Sequence, residues 1–149
     1  MSKAKYLLKF LRLDAGKRRR LLSAMFFVCL IRLSLSLISF KSVLRLTKRL
    51  GAARAASTGI SQVSSEQVLW AVKVACRFIP GATCLTRSLV LQIFFARYGR
   101  AINLNIGVAR AEDRTLKAHA WTEENGEVLT KEEGLQYFTK LATCDGEKA

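Results

Sequence analysis

The sequence has 149 residues, half of them hydrophobic, and a formal net charge of +14. This hydrophobic content excludes a disordered chain, and the length is enough for one domain with a buried core. The charge favours an acidic partner, such as nucleic acid, an anionic membrane surface or an acidic peptide.

The four cysteines are widely and irregularly spaced. Because no C-x-x-C pair is present, we expect no structural zinc site. We also predict no metal and no cofactor. A chain with this much core needs no disulfide framework, which favours a reducing cytoplasmic compartment. Three of the four, Cys29, Cys76 and Cys144, are interpreted as small buried thiols, whereas Cys84 is considered separately below.

The N-terminal part is basic and apolar. Residues 4–13 have the pattern of a short amphipathic helix, and Asp14 is placed to cap the helix that follows. The run 21–40 then contains a single charge, Arg32, and is long enough to span a membrane. It lacks the small-residue cleavage site of a signal peptide.

A polar stripe continues through this run and beyond it. Such a stripe, on a helix of roughly thirty residues, is typical of a helix packed against protein or laid on a membrane surface. An arginine in the middle of a span is costly in lipid. We therefore expect first a long helix that covers the core of its own fold, with peripheral membrane contact and a true span as alternatives. The stripe consists of Arg32, Ser36, Ser39, Ser42, Arg45 and Arg49.

Residues 51–64 are rich in alanine, serine and glycine and are interpreted as a linker or a loose helix end. Ser64 and Gln67 have the spacing of a capping box. The apolar residues of 68–79 recur at helical spacing, so a helix is predicted there.

The central stretch of the chain is built around Cys84. Pro80 and Gly81 break the preceding helix, a largely apolar helix is predicted over 83–98, and Gly99 ends it. A thiol in the first turn of a helix lies near unsatisfied N–H groups and the positive end of the helix dipole. Both favour thiolate over thiol, so Cys84 is a candidate nucleophile.

The last third of the chain has the two-residue period of strands. Strands are predicted over 102–108, 116–124 and 127–131, and the last two flank Asn125-Gly126, a strong hairpin signal. A short helix is predicted over 134–141.

The only histidine, His119, falls in the second of these strands and is a candidate base for Cys84. Pairing counted back one for one from the hairpin turn places Glu132 opposite His119, with Cβ atoms ~5 Å apart, and turns Glu133 the other way. Glu132 is then the carboxylate that would orient the imidazole. Trp121 shares the face of His119 and would shield it from water.

Four motifs occur in a fixed order: Ile79-Pro-Gly-Ala-Thr-Cys-Leu-Thr-Arg-Ser-Leu89, Ile106-Gly-Val-Ala-Arg110, Ala118-His-Ala-Trp-Thr-Glu123 and Asn125-Gly126. Over roughly residues 65 to 131 this order resembles the B2 peptidase of lasso-peptide biosynthesis, a transglutaminase-like cysteine peptidase. The combination of Cys-Leu-x-Arg-Ser-Leu with His-Ala-Trp is specific, whereas either piece alone would be weak.

The resemblance implies an α+β fold, a transglutaminase/papain-like cysteine peptidase core in which a central helix packs on a small antiparallel sheet. It implies an enzyme that cuts the leader from a precursor peptide, with Cys84 as nucleophile and His119 as base. The acid of the family is usually an aspartate about a dozen residues after the histidine. Here Lys131 occupies that place and Glu132 follows, so the third catalytic residue departs from the family pattern.

The resemblance also divides the chain into an N-terminal helical extension (1–50), a linker (51–64) and the peptidase core (65–149). The partners that it implies are the leader of the precursor, a separate leader-recognition (B1) protein and the lasso cyclase. The expected location is cytoplasmic, with membrane association through the N-terminal helices as an open possibility.

Two other functions are compatible with the residues. The same Cys–His site would support acyl transfer if an amine replaced water, and the basic N-terminal helices would suit a non-enzymatic, membrane-associated adaptor. A nucleic-acid role is disfavoured, because no recognised binding motif is present.

Overall fold

The computed structural model describes residues 13–55, 64–111, 114–130 and 134–145; the helix predicted over 4–13 lies almost wholly outside them. Within the described ranges the chain has the predicted α+β fold, with four α-helices followed by one four-stranded antiparallel sheet. The helices are α1 (Ala15–Leu37), α2 (Phe40–Ala55), α3 (Ser65–Phe78) and α4 (Cys84–Arg97). The strands are β1 (Asn103–Arg110), β2 (Leu116–Glu124), β3 (Glu127–Val128) and β4 (Thr139–Cys144).

The single long N-terminal helix predicted from the polar stripe is wrong, because the chain breaks at Ile38 and Ser39. Ile38 has extended backbone angles, and the Ser39 carbonyl accepts the N–H groups of Ser42 and Val43 as α2 begins. The hydroxyls of Ser39 and Ser42 lie 3.0 Å apart. Serines that form local hydrogen bonds in this way favour helix ends over helix interiors.

The helix starts follow the sequence signals unevenly. Asp14 caps α1 as expected, since its carboxylate accepts the Gly16 N–H. Ser64 is the residue before α3, but its side chain makes no capping hydrogen bond, so the predicted Ser64–Gln67 capping box is wrong. α2 continues to Ala55, five residues into the stretch interpreted as a linker.

α4 is the centre of the fold, because α1, α2, α3 and the sheet all pack against it. The Phe27 ring of α1 meets the Phe94 ring edge-on, with centroids 5.7 Å apart. A Cβ added to Gly51 of α2 would lie 2.7 Å from the Ala96 Cβ, so only glycine allows this approach. The buried residues of α4 run without a break from Ser88 to Phe95, and Thr86 is buried as well.

The sheet has the order β3-β2-β1-β4. β2 has the predicted bounds, and Asn125 and Gly126, both with positive φ, form the predicted turn into β3. Glu124 pairs with Glu127 in the predicted register, but the third strand ends at Val128 and is shorter than the predicted 127–131.

The helix predicted over 134–141 is wrong. Only Leu135–Tyr137 form a short 3₁₀ turn, and the chain then continues as β4, which pairs with β1. The Gln92 amide of α4 donates to the carbonyls of Ile102 and Cys144, at 3.2 and 3.0 Å. One buried side chain therefore joins the central helix to the start of β1 and to the end of β4, two neighbouring strands of the sheet.

α1 is, among the described helices, the one that is long and apolar enough to cross a membrane by length and composition, with a mean hydropathy of 1.8. Its inward face nevertheless belongs to the core of this fold. That face consists of Leu21, Ala24, Phe27, Val28 and Ile31.

Candidate active site

Cys84 is the first residue of α4, as the sequence predicted. The capping box lies here: the Thr83 hydroxyl accepts the Thr86 N–H at 3.3 Å, and the Thr86 hydroxyl accepts the Thr83 N–H at 3.4 Å. Cys84 itself is half-buried and packs against the hydrophobic core. The thiol is therefore held at a well-formed helix start.

The turn before Cys84 is supported from α1. Gly81 has φ +75°, which favours glycine, and a Cβ added there would lie 2.9 Å from Arg32 Nε. Arg32, which the sequence placed on the polar stripe, also donates to the Ser36 hydroxyl at 2.5 Å. One member of that stripe thus packs against the turn that precedes the candidate nucleophile.

His119 lies in β2, half-buried and in contact with two aromatic rings. The Trp121 ring is nearly parallel to the imidazole at 6.3 Å, and the Phe138 ring is tilted at 5.3 Å. Trp121 is buried, and its stacking on the imidazole confirms that it shares the face of His119. Its role in keeping water from the site stays a prediction.

The helix with Cys84 and the strand with His119 are joined close to both residues. The Ser88 hydroxyl, one turn beyond Cys84, donates to the Ala120 carbonyl at 3.3 Å. The charge of Arg87 acts on His119 as well. The first two turns of α4 therefore lie against the part of β2 that carries the histidine.

Burial lowers the pKa of His119 below its ordinary value of 6.5, and the positive charge of Arg87 lowers that pKa further. A lowered pKa keeps the imidazole neutral at neutral pH, and a neutral imidazole can accept a proton.

Arg87 also acts on Cys76. Burial raises the pKa of Cys76, with Arg87 opposing the rise. Arg87 belongs to the Ile79–Leu89 motif, and its position three residues after Cys84, on the same side of the helix, is the sequence signal that places it near the candidate nucleophile.

Glu123 is a carboxylate beside Trp121 that sequence analysis missed. Glu123 accepts the indole N–H of Trp121 at 2.9 Å and pairs with Lys140 at 3.1 Å. Burial alone would raise the pKa of Glu123, but these hydrogen bonds outweigh it and lower the pKa. The two-residue period that links His119, Trp121 and Glu123 was the available signal.

The candidate acid Glu132 lies outside the described residues, as do Lys131 and Glu133. The predicted register is observed from the turn to Leu129, whose N–H donates to the Thr122 carbonyl at 2.9 Å. The assignment of Glu132 remains a prediction.

The other cysteines divide into two kinds. Cys76 and Cys144 are half-buried, whereas Cys29 is exposed, so its interpretation as a buried thiol is wrong. Cys29 falls on the outer side of α1. Its neighbours in sequence are apolar, so the sequence alone gave no sign of its exposure. All four cysteines are free thiols.

Comparison with known protein families identifies the family of this chain. A family model described as the transglutaminase-like superfamily matches residues 27–143, more than three quarters of the chain. Searches of curated proteins and of solved structures found no match. The matched range includes Cys84, His119, β1 to β3, β4 as far as residue 143, and most of the helical part.

Proposed function

Because the chain belongs to the transglutaminase-like superfamily, we propose that it is a cysteine peptidase that removes the leader from a lasso-peptide precursor. The superfamily indicates chemistry of the cysteine-peptidase or acyltransferase type. The motif resemblance to the B2 peptidase supports the finer assignment.

One observation carries the proposal. Cys84 opens a capped and buried helix, and Ser88 of that helix is hydrogen-bonded to β2 beside His119. A thiol at a helix start and an imidazole on the adjoining strand are the parts that nucleophilic acyl chemistry requires.

The reaction would proceed in two halves. His119 takes the thiol proton as Cys84 Sγ attacks the scissile carbonyl carbon, and the same proton then goes to the leaving amine as the peptide bond breaks. Water, deprotonated by His119, attacks the resulting thioester. The leader leaves as a carboxylate and the thiol is restored. The backbone N–H of Cys84 is our candidate for one donor to the tetrahedral oxyanion.

Glu132 is proposed as the carboxylate that holds the His119 imidazole. The register from the turn to Leu129 supports this, since continuing it one for one brings Glu132 opposite His119. Glu132→Gln should lower turnover strongly and Glu133→Gln should lower it little. The reverse order would show that the register shifts by one residue after Leu129.

The proposed partners follow from the same resemblance. The leader would be delivered by a separate recognition protein, and a lasso cyclase would use the freed core peptide. A gene for a short precursor, a gene for a small recognition protein and a gene for an asparagine-synthetase-like cyclase beside this one would support the pathway.

The test is cleavage of a lasso-peptide precursor, taken from the neighbouring genes if they encode one, with a leader-recognition protein present. Cys84→Ala should abolish cleavage, and His119→Ala should lower it by about 10²- to 10⁴-fold. Cys76→Ala is the matched control, because Cys76 is a half-buried thiol on the neighbouring helix and should be dispensable. Full cleavage by the Cys84→Ala protein would refute the proposal.

The mass of the product separates hydrolysis from acyl transfer. A free carboxylate at the end of the leader shows that water was the acceptor, whereas an added amine shows transfer by the same Cys84–His119 pair.

Iodoacetamide labelling at pH 6 tests the alternative of a non-enzymatic adaptor. Cys84 should then be labelled before the exposed Cys29, and equal slow labelling of the two would favour the adaptor.

A further inference from the structure

α1 has two apolar faces, and the fold covers one of them. The covered face packs into the core, where Phe27 meets Phe94. The other face is exposed: Phe26 is 62% exposed and Leu37 is 78% exposed. We call the exposed residues at helical spacing, Leu22, Phe26, Cys29, Leu33 and Leu37, the outer stripe.

The outer stripe is long and continuous. Its members follow one another at three or four residues, so they lie along one side of the helix over about 22 Å. Beyond Leu37 the exposed Ile38 and Phe40 extend the apolar chain into the start of α2. Contiguous exposed apolar surface of this kind marks an interaction site in a soluble domain.

Charge indicates what the stripe meets. Residues 1–65 contain fourteen lysines and arginines and a single acidic residue, Asp14. Residues 66–149 contain eleven basic and ten acidic residues, so nearly all of the net charge of +14 belongs to the N-terminal part. The occupant of the stripe must therefore accept both apolar side chains and a dense positive charge.

Basic residues stand at both ends of the stripe. Arg18 and Arg19 lie four and three residues before Leu22, on the turn that precedes it. Lys41 follows Phe40 directly and is exposed, as is Arg45 one turn further on. A second copy of the chain would bring these like charges face to face, which disfavours self-association through the stripe.

We propose that the outer stripe of α1 binds the surface of a bilayer that contains anionic phospholipids. Leucine and phenylalanine side chains would enter the acyl boundary while Arg18 and Arg19 remain among the headgroups. α1 lies on the surface and does not span it, because its inward face, with Phe27 and Ile31, is part of the protein core. The interaction is independent of the chemistry of Cys84.

The experiment is flotation of the full chain with vesicles of phosphatidylcholine and phosphatidylglycerol, mixed three to one. The wild-type protein should float with these vesicles, should not float with phosphatidylcholine alone, and should detach as salt is raised. Phe26→Gln with Leu33→Gln should weaken binding by about tenfold for each side chain. Arg18→Gln with Arg19→Gln should weaken it by about fivefold for each charge.

The matched control is Leu116→Gln with Leu141→Gln, since both leucines are exposed on the sheet and lie outside the stripe. This variant should float like the wild type. Circular dichroism melting identifies any variant that has lost its fold, and Cys84→Ala should float unchanged. Loss of cleavage and loss of flotation therefore report on separate claims.

Four results would overturn the proposal: no flotation of the wild type, equal flotation on phosphatidylcholine alone, undiminished flotation of the Phe26→Gln/Leu33→Gln protein, or undiminished flotation of the Arg18→Gln/Arg19→Gln protein. Binding to poly-L-glutamate without vesicle binding would show an acidic protein partner instead. A dimer in sedimentation equilibrium that the apolar variant abolishes would show that the stripe joins two copies.

Discussion

Two helices rich in apolar residues, α1 and α4, have opposite surroundings. α4 is enclosed by three helices and the sheet, and Ser88 to Phe95 are buried without interruption. α1 buries one side and leaves the other exposed. Both helices contain more apolar residues than one core-facing side needs, yet only α4 is enclosed.

The difference separates two uses of an apolar helix. In α4 the enclosure fixes the backbone, so the first turn can hold Cys84 in one place relative to β2. In α1 the surplus of apolar residues exceeds what the core can cover, and the outer stripe remains available to a partner. Substitutions should therefore act on stability in α4 and on association in α1.

The largest expected contrast in stability is between two leucines. Leu91→Ala, in the buried part of α4, should lower the free energy of unfolding by about 2–5 kcal/mol. Leu33→Ala, in the outer stripe, should change it by less than about 0.5 kcal/mol. Urea unfolding of the two variants measures both effects. Equal losses would mean that the outer stripe is covered in solution and that the contrast is false.

A smaller effect is expected where α2 meets α4. Gly51→Ala forces a Cβ to 2.7 Å from the Ala96 Cβ and should cost about 1–3 kcal/mol of unfolding free energy. The double variant Gly51→Ala/Ala96→Gly removes the clash and should recover part of the loss. Losses that simply add in the double variant would show that the cost of Gly51→Ala does not come from its contact with Ala96.

The helix caps provide a matched pair. Thr83→Ala removes a capping bond to the Thr86 N–H and should cost about 1 kcal/mol. Ser64→Ala removes a side chain that makes no such bond at the start of α3 and should cost only a few tenths of a kcal/mol. Thermal unfolding followed by circular dichroism compares them. An equal cost for the two substitutions would mean that the Thr83 capping bond does not stabilise α4 more than Ser64 stabilises α3.

The smallest expected effect is on pH dependence. The pKa of His119 is lower in the folded state than its ordinary value of 6.5, so the unfolded state binds the proton more readily. The contribution of His119 is therefore fully present above about pH 6.5 and is lost as pH falls through the folded pKa. His119→Gln should remove this part of the slope.

Arg87→Gln should remove a smaller part, because burial is the larger cause of the shift. Urea unfolding at a series of pH values between 5 and 8 measures the slopes. Identical slopes in the wild type and the His119→Gln protein would contradict the assigned cause.

Local chemistry explains which elements could be read from the sequence. Pro80, Gly81 and Gly99 bound α4 through backbone restrictions that act within a few residues, and Asn125-Gly126 sets its own turn. The strand that carries His119 was predicted with its correct ends for the same reason. The family resemblance added the pairing of Cys84 with His119, which spacing alone does not give.

Elements that depend on distant partners were missed. β4 is exposed along nearly all of its length, so its sequence has no buried alternation, and its pairing with β1 alone makes it a strand. The break at Ser39 was hidden because a polar stripe and a helix end use the same residue types. The effect of Arg87 on His119 could not be predicted, because the two residues lie far apart in the chain and meet only in the fold.

Gln92 has a consequence for the order in which the molecule assembles. Its amide joins α4 to Ile102, ten residues away, and to Cys144, fifty-two residues away. The short loop closes at a lower entropic cost than the long one, so α4 and β1 can associate before the C-terminal strand arrives. During synthesis the Gln92 amide would thus donate only to Ile102, and its second hydrogen bond, to Cys144, would form when β4 docks. Amide hydrogen exchange should find β4 the last strand protected on refolding and the first exposed on opening.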